Sequence, residues 1–142
     1  MARYAVRSYA FPGDSDPDTE RQQARALLSR GFVQTVCATA ADNALFVEVI
    51  AAQTLRAWEK DELVARRPEI DFILRMAGTS QISKALGEVG SRRGVGFVLV
   101  VASPGHVPIG KALRGRALAR RDLSLDERDR VEKAALLGAL RG

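Results

Sequence analysis

Residues 94 to 102 read GVGFVLVVA, a run without a charged side chain. It falls far short of the roughly 18 to 20 apolar residues needed to cross a bilayer, and its β-branched content predicts a strand. Continuous apolar sequence of this kind is buried on both faces, so the strand belongs inside a sheet rather than at its margin. The rest of the chain has to supply its neighbours.

Two segments qualify. Between Arg3 and Phe11, Tyr4, Val6 and Ser8 alternate with Ala5, Arg7 and Tyr9. That period of two predicts a half-buried strand, closed by Pro12 and Gly13 and placed at the sheet edge. Phe32 to Ala38 is short and rich in Val, Thr and Phe, and reads as a further strand.

Helical segments lie between them. Ser15 to Asp18 reads as a capping box with Pro17 in the first turn, opening a helix that turns Ala24, Leu27 and Leu28 inward before Gly31. Asp42 or Asn43 caps a long helix ending near Lys60, apolar on most of its circumference from Ala44 to Ile50 and therefore central. Glu62 to Arg66 reads as another helical turn, stopped before Pro68. Glu69 to Ala77 carries Ile70, Ile73, Leu74 and Ala77 at helical spacing and stops at Gly78. Thr79 then caps a helix with Ile82, Ala85, Leu86 and Val89 on one face, closed by Gly90. Ser124 and Glu127 form a second capping box ahead of a C-terminal helix whose later half, Val131 to Leu140, is apolar nearly all round. One core cannot absorb side chains pointing in so many directions, so part of that helix is expected to face a partner.

With 142 residues, 46% of them hydrophobic and 27% charged, the chain is expected to form a single α/β domain, and neither disorder nor a membrane class fits it. Lys and Arg number 22 against 17 Asp and Glu, a formal charge of +5. Such an excess favours polyanions, and the preponderance of Arg, which forks onto phosphate and stacks on bases, favours nucleic acid. The lone cysteine, Cys37, lies in an apolar run and is expected in the core. With no disulfide framework and no continuous apolar region between Met1 and Gly13, the cytoplasm is the expected compartment.

Catalytic signatures are weak. His106 is the only histidine, so a His-containing zinc site or a Ser-His-Asp triad would depend on one residue in a Pro/Gly loop. Asp14, Asp16 and Asp18 resemble the start of a calcium loop, but Thr19 stands where the turn glycine belongs and Arg25 where the closing Glu belongs. Gly105 to Lys111 matches the GxxxxGK phosphate loop, yet Ala112 replaces the magnesium-binding hydroxyl and Pro108 removes an N–H from the cradle. No enzyme activity and no cofactor are expected. Gln81 to Arg93 has the outline of a helix-turn-helix, the alternative being a DNA-binding regulator. That alternative requires a recognition helix at Ser91 to Phe97, where Gly94, Gly96 and Val95 oppose one.

Glu69, the apolar stretch through Leu74, and then Ala77, Gly78, Thr79, Gln81, Ile82, Ala85, Leu86 and Gly90 resemble the small kinase-associated subunit of the KEOPS complex, the PRPK-binding protein family. About 20 residues carry the resemblance specifically, and flanking elements extend it weakly over about 100. It implies a small antiparallel or mixed sheet packed with helices, acting as a non-catalytic subunit in threonylcarbamoyladenosine modification of tRNA. It further implies docking on the atypical KEOPS kinase, through which the other subunits are reached, and recruitment of tRNA by its 3′ CCA end, with no membrane partner.

On that resemblance, Gly78, Thr79, Ser80, Gln81 and Ile82 are the expected tRNA site, joined by Arg75 and Lys84 as cations close to the turn in sequence; the apolar half-helix and the resemblance together make Val131, Ala134, Leu136, Leu137 and Leu140 the expected kinase contact. Ser80 departs from the family pattern, which places Arg between Thr79 and Gln81, and so lacks one phosphate or stacking contact. The residue chemistry points the same way: Gly78 permits close approach, a helix N-terminus attracts anions, and Gln81 can read a base edge. Arg92, Arg93 and the basic run from Arg114 to Arg121 are further sources of positive charge.

Overall fold

A computed structural model describes residues 4–105 and 115–141. The chain runs through β1 (Ala5–Phe11), α1 (Pro17–Ala26), β2 (Phe32–Cys37), a short 3-10 turn (Ala38–Ala40), α2 (Ala44–Glu59), α3 (Pro68–Ala77), α4 (Ile82–Val89), β3 (Phe97–Ser103), β4 (Arg116–Ala117) and α5 (Leu125–Arg141). The strands form one antiparallel sheet in the order β2-β3-β1-β4. The architecture is α+β, and among the described residues no helix is long and apolar enough to cross a membrane.

The apolar run becomes β3, buried at every residue. Its alternation explains why. Phe97, Leu99 and Val101 join Phe11, Val33 and Ala24 on the α1 side, whereas Val98, Val100 and Ala102 join the larger core beneath α2 and α3. A strand covered on both faces cannot use the polar-out pattern of a one-sided sheet. Its start differs from expectation: Gly94 sits at φ 81 in a turn and Val95 is exposed, so pairing begins only at Phe97. Consequently residues 91–96 form turn and loop, and the helix that a helix-turn-helix would need there is absent.

Strand β1 is not at the edge. It pairs along its whole length with β3 and, at Tyr9 and Ala10, with β4. The outer strand on the other side, β2, has its backbone partly satisfied by its own side chain: Gln34 accepts from the Thr35 N–H at 2.9 Å and donates to the Glu69 carbonyl at 3.0 Å. Cys37, expected in the core, is half-buried at the end of β2, its thiol 3.7 Å from the Glu88 carbonyl.

Caps fix the helix boundaries. Asp16, and not the expected Ser15, caps α1 by accepting from the Asp18 N–H, and Asn43 accepts from the Leu45 N–H at the start of α2. At α5 the reciprocal box forms in full: the Ser124 N–H donates to Glu127 at 2.9 Å and the Glu127 N–H to Ser124 Oγ at 3.1 Å. Asn43 Nδ2 also donates to the Glu127 carboxylate at 3.1 Å, so one buried junction joins the beginnings of two helices. Burial opposes charge on Glu127, but bonds from the Ser124 backbone and the Asn43 amide outweigh it and hold the carboxyl below its ordinary 4.5.

Two expected helical features are altered. Residues 62–66 are irregular, because Pro68 opens α3 and its predecessor, Arg67, is extended. Leu27 is 40% exposed, since α1 ends at Ala26 and the chain turns away toward Gly31. Gly31 holds φ 122, and a Cβ there would lie 2.1 Å from the Ala102 carbonyl oxygen. That combination of positive φ and backbone contact admits only glycine.

Candidate nucleic-acid interface

Helices α3 and α4 meet at a tight exposed turn. Gly78 adopts the left-handed conformation (φ 72, ψ 32), and its N–H donates to the Leu74 carbonyl at 2.8 Å, ending α3. Thr79 does not cap α4 directly. Its hydroxyl accepts from the Gln81 N–H at 3.2 Å, making Gln81 the capping residue without a side-chain bond of its own. The leading N–H groups of α4 therefore point outward beside Ser80, Gln81 and Ile82, all exposed. Such an end is a natural anion seat.

Helix α4 is anchored by Ala85 and Val89, while Ile82 is 48% and Leu86 44% exposed on the neighbouring face. Lys84 is exposed on the same helix. Thus Gly78, Thr79, Ser80, Gln81 and Ile82 follow one another at the exposed turn, while Lys84, two residues beyond Ile82 on α4, projects from a different side of the helix.

Arg75 is the correction. It is 4% exposed, and its guanidinium is consumed internally: Nε donates to Asp71 at 2.7 Å, and Nη1 to the Ala134 carbonyl at 3.3 Å and Gln53 at 3.4 Å. Asp71 also receives the Thr54 hydroxyl at 2.6 Å and the Val64 N–H at 2.8 Å. Arg75 thereby binds α3 to α2 and α5 and is withdrawn from any RNA surface. Arg92 donates to the Gly87 carbonyl at 2.7 Å, and Arg93 lies 3.9 Å from Asp16, so neither is directed at the turn by its own pairing.

Position 133 supplies a cation that sequence spacing does not reveal. A Cβ at Gly78 would lie 3.1 Å from Lys133 Cδ, so the lysine stem of α5 rests over the glycine. Nothing local in the sequence marks this pairing, because it depends on α5 crossing α3.

The C-terminal helix divides along its length. Ala134 is fully buried and Val131 packs on the core, its carbonyl accepting from Gln53 at 3.1 Å. Ala134 is therefore a packing residue and not part of a partner surface. Leu136 is 58% exposed and Leu137 half-buried; the Leu140 side chain lies outside the described residues. Farther back, Arg120 reaches Glu48 at 3.1 Å and Arg121 reaches Asp42 at 3.1 Å, tying the segment before α5 across the start of α2. His106, Lys111 and Arg114, and with them most of the phosphate-loop pattern, lie outside the described residues.

No family model matches this chain, and no curated protein matches it.

Proposed function

We propose that this protein is a non-catalytic accessory subunit of a KEOPS-type tRNA threonylcarbamoyladenosine-modification complex, binding the atypical kinase and recruiting tRNA by its 3′ CCA end. The observation that carries the reading is the exposed α3–α4 turn. The residues of the family resemblance, Gly78 to Ile82, lie at this turn with the leading N–H groups of α4, the exposed apolar Ile82 and the Lys133 stem beside Gly78. A single-stranded end offers what such a turn accepts, namely phosphate for the N–H groups and a base face for the aliphatic side chain. The kinase contact is assigned to the exposed side of α5 around Leu136 and Leu137, and the compartment is the cytoplasm.

Binding of labelled tRNA with and without its CCA end, in a salt series, tests the reading. CCA-dependent binding by the wild type, lost in Ile82→Glu, is expected; Ile82 is exposed, so the variant should keep its fold. Binding indifferent to the CCA end removes tRNA recruitment from this turn, and preference for duplex DNA would replace it with a regulator. For the kinase, Leu136→Glu should abolish co-purification.

A further inference from the structure

A second concave site lies at the end of the sheet where β2 begins and β3 finishes. Arg25, Leu28 and Arg30 from the end of α1 and its following loop, Trp58 and Glu59 from the last turn of α2, and Pro104 line a cleft of about 430 Å³, within the roughly 300 to 1,000 Å³ of small-molecule sites. Leu55, one turn before Trp58, is 1% exposed, whereas Trp58, also on the cleft wall, is 40% exposed. The wall carrying Arg30 is held in place, because neighbouring Gly31 is pressed against the Ala102 carbonyl.

Charge in and around this cleft is unevenly balanced. Glu69 is shared by Arg25 at 3.1 Å and Arg67 at 3.0 Å, so one carboxylate serves two cations. Arg30 has no ion pair among the described residues. Glu59 lies on the cleft wall, where its carboxylate can accept hydrogen bonds. An exposed tryptophan, a guanidinium with no ion pair among the described residues and a carboxylate on the same wall describe one ligand chemistry.

We propose that this cleft binds a nucleotide, its base stacked on Trp58 and its phosphate held by Arg30 with Arg25. The Glu59 carboxylate favours a base carrying an exocyclic amine, such as adenine, over uracil. The site uses no residue of the Gly78–Ile82 turn. Helix α3 starts beside Arg25 through Glu69 and carries the chain about 15 Å before the turn, so this inference does not depend on the tRNA reading.

Trp58 is the chain's only tryptophan, so intrinsic fluorescence reports on the site directly. The full chain is titrated with AMP, UMP, inorganic phosphate and a 5′-phosphorylated adenosine hexamer, and the titrations are repeated with Arg30→Ala, checked for fold by circular dichroism. Saturable quenching by AMP at lower concentration than by UMP, weakened about tenfold in Arg30→Ala, is expected for loss of one charge-assisted contact. Quenching by AMP identifies a free nucleotide as sufficient, and saturable quenching by the hexamer alone identifies a nucleotide read within a strand. No saturable quenching by AMP or the hexamer, an equal response to inorganic phosphate, or affinity unchanged in Arg30→Ala overturns the proposal.

Discussion

Asp71 and Arg75 stand one helical turn apart on α3, a spacing that on a surface contributes only a few tenths of a kcal/mol. Here both are buried, and the pair is completed by Thr54, Val64, Gln53 and Ala134 from other segments. Removing one partner leaves a charge without compensation, so Arg75→Ala should destabilise the fold by about 3 to 5 kcal/mol, read as a lowered urea midpoint. The i,i+4 spacing was visible in the sequence. The burial was not, because it depends on backbone and side-chain partners 7 to 59 residues away, and this is why Arg75 read as a free cation.

Two further carboxylates set the response to acid. Glu69 and Glu127 are each opposed by burial, yet bonded strongly enough to lie below 4.5: Glu69 by its own backbone N–H and the guanidinium groups of Arg25 and Arg67, Glu127 by Ser124 and Asn43. A depressed folded-state pKa gives stability that is complete above the unfolded value and is lost as pH falls through the folded one. Thermal midpoints should therefore drop as pH is lowered below about 4.5, and Glu127→Gln should show a shallower drop than the wild type.

At the scale of elements, the signals that carried through were local ones. The Ser124–Glu127 box, Asn43, Pro17 and Gly78 act within a few residues of themselves, and each occupies the position its chemistry requires. The interior place of β1 was hidden because its alternation describes one exposed face equally well, and its β4 neighbour pairs at only two of its residues. The turn before β3 was hidden because Val95 looks like strand, whereas the positive φ at Gly94 governs. Of the candidate site, the α3–α4 turn was legible from Gly78, but Lys133 and the Trp58 cleft come only from packing between elements.

These element junctions differ sharply in tolerance. Ile82→Glu should change stability by no more than about 0.5 kcal/mol, as expected for an exposed position. Gly31→Ala should cost more than about 1 kcal/mol, since the new methyl meets both a forbidden φ and the Ala102 carbonyl. Chemical denaturation of the two variants side by side separates them.

Over the whole molecule, the sheet is covered by α1 on one face, while the other packs on the shared core of α2 to α5. Helix α5 is part of that closure: Glu127, Val131 and Ala134 meet Asn43, Gln53 and Arg75. Truncation after Asp122 should therefore abolish cooperative thermal unfolding instead of merely shortening the protein. A protein that retains a sharp transition without α5 would show that the helix is an appendage.

The pairing of β1 with β3 has a consequence for how the protein is made. Ser8 lies opposite Val100, so the sheet joins a strand from the very beginning of the chain to one reached about 90 residues later. At translation rates of roughly 5 to 20 residues per second, β1 waits some 5 to 20 seconds for its partner. During that interval its inward residues have no place to go, and β2 has no neighbour either. For that interval the two strands that flank β3 in the finished sheet are both without their shared partner, so the sheet can close only after most of the chain has been made.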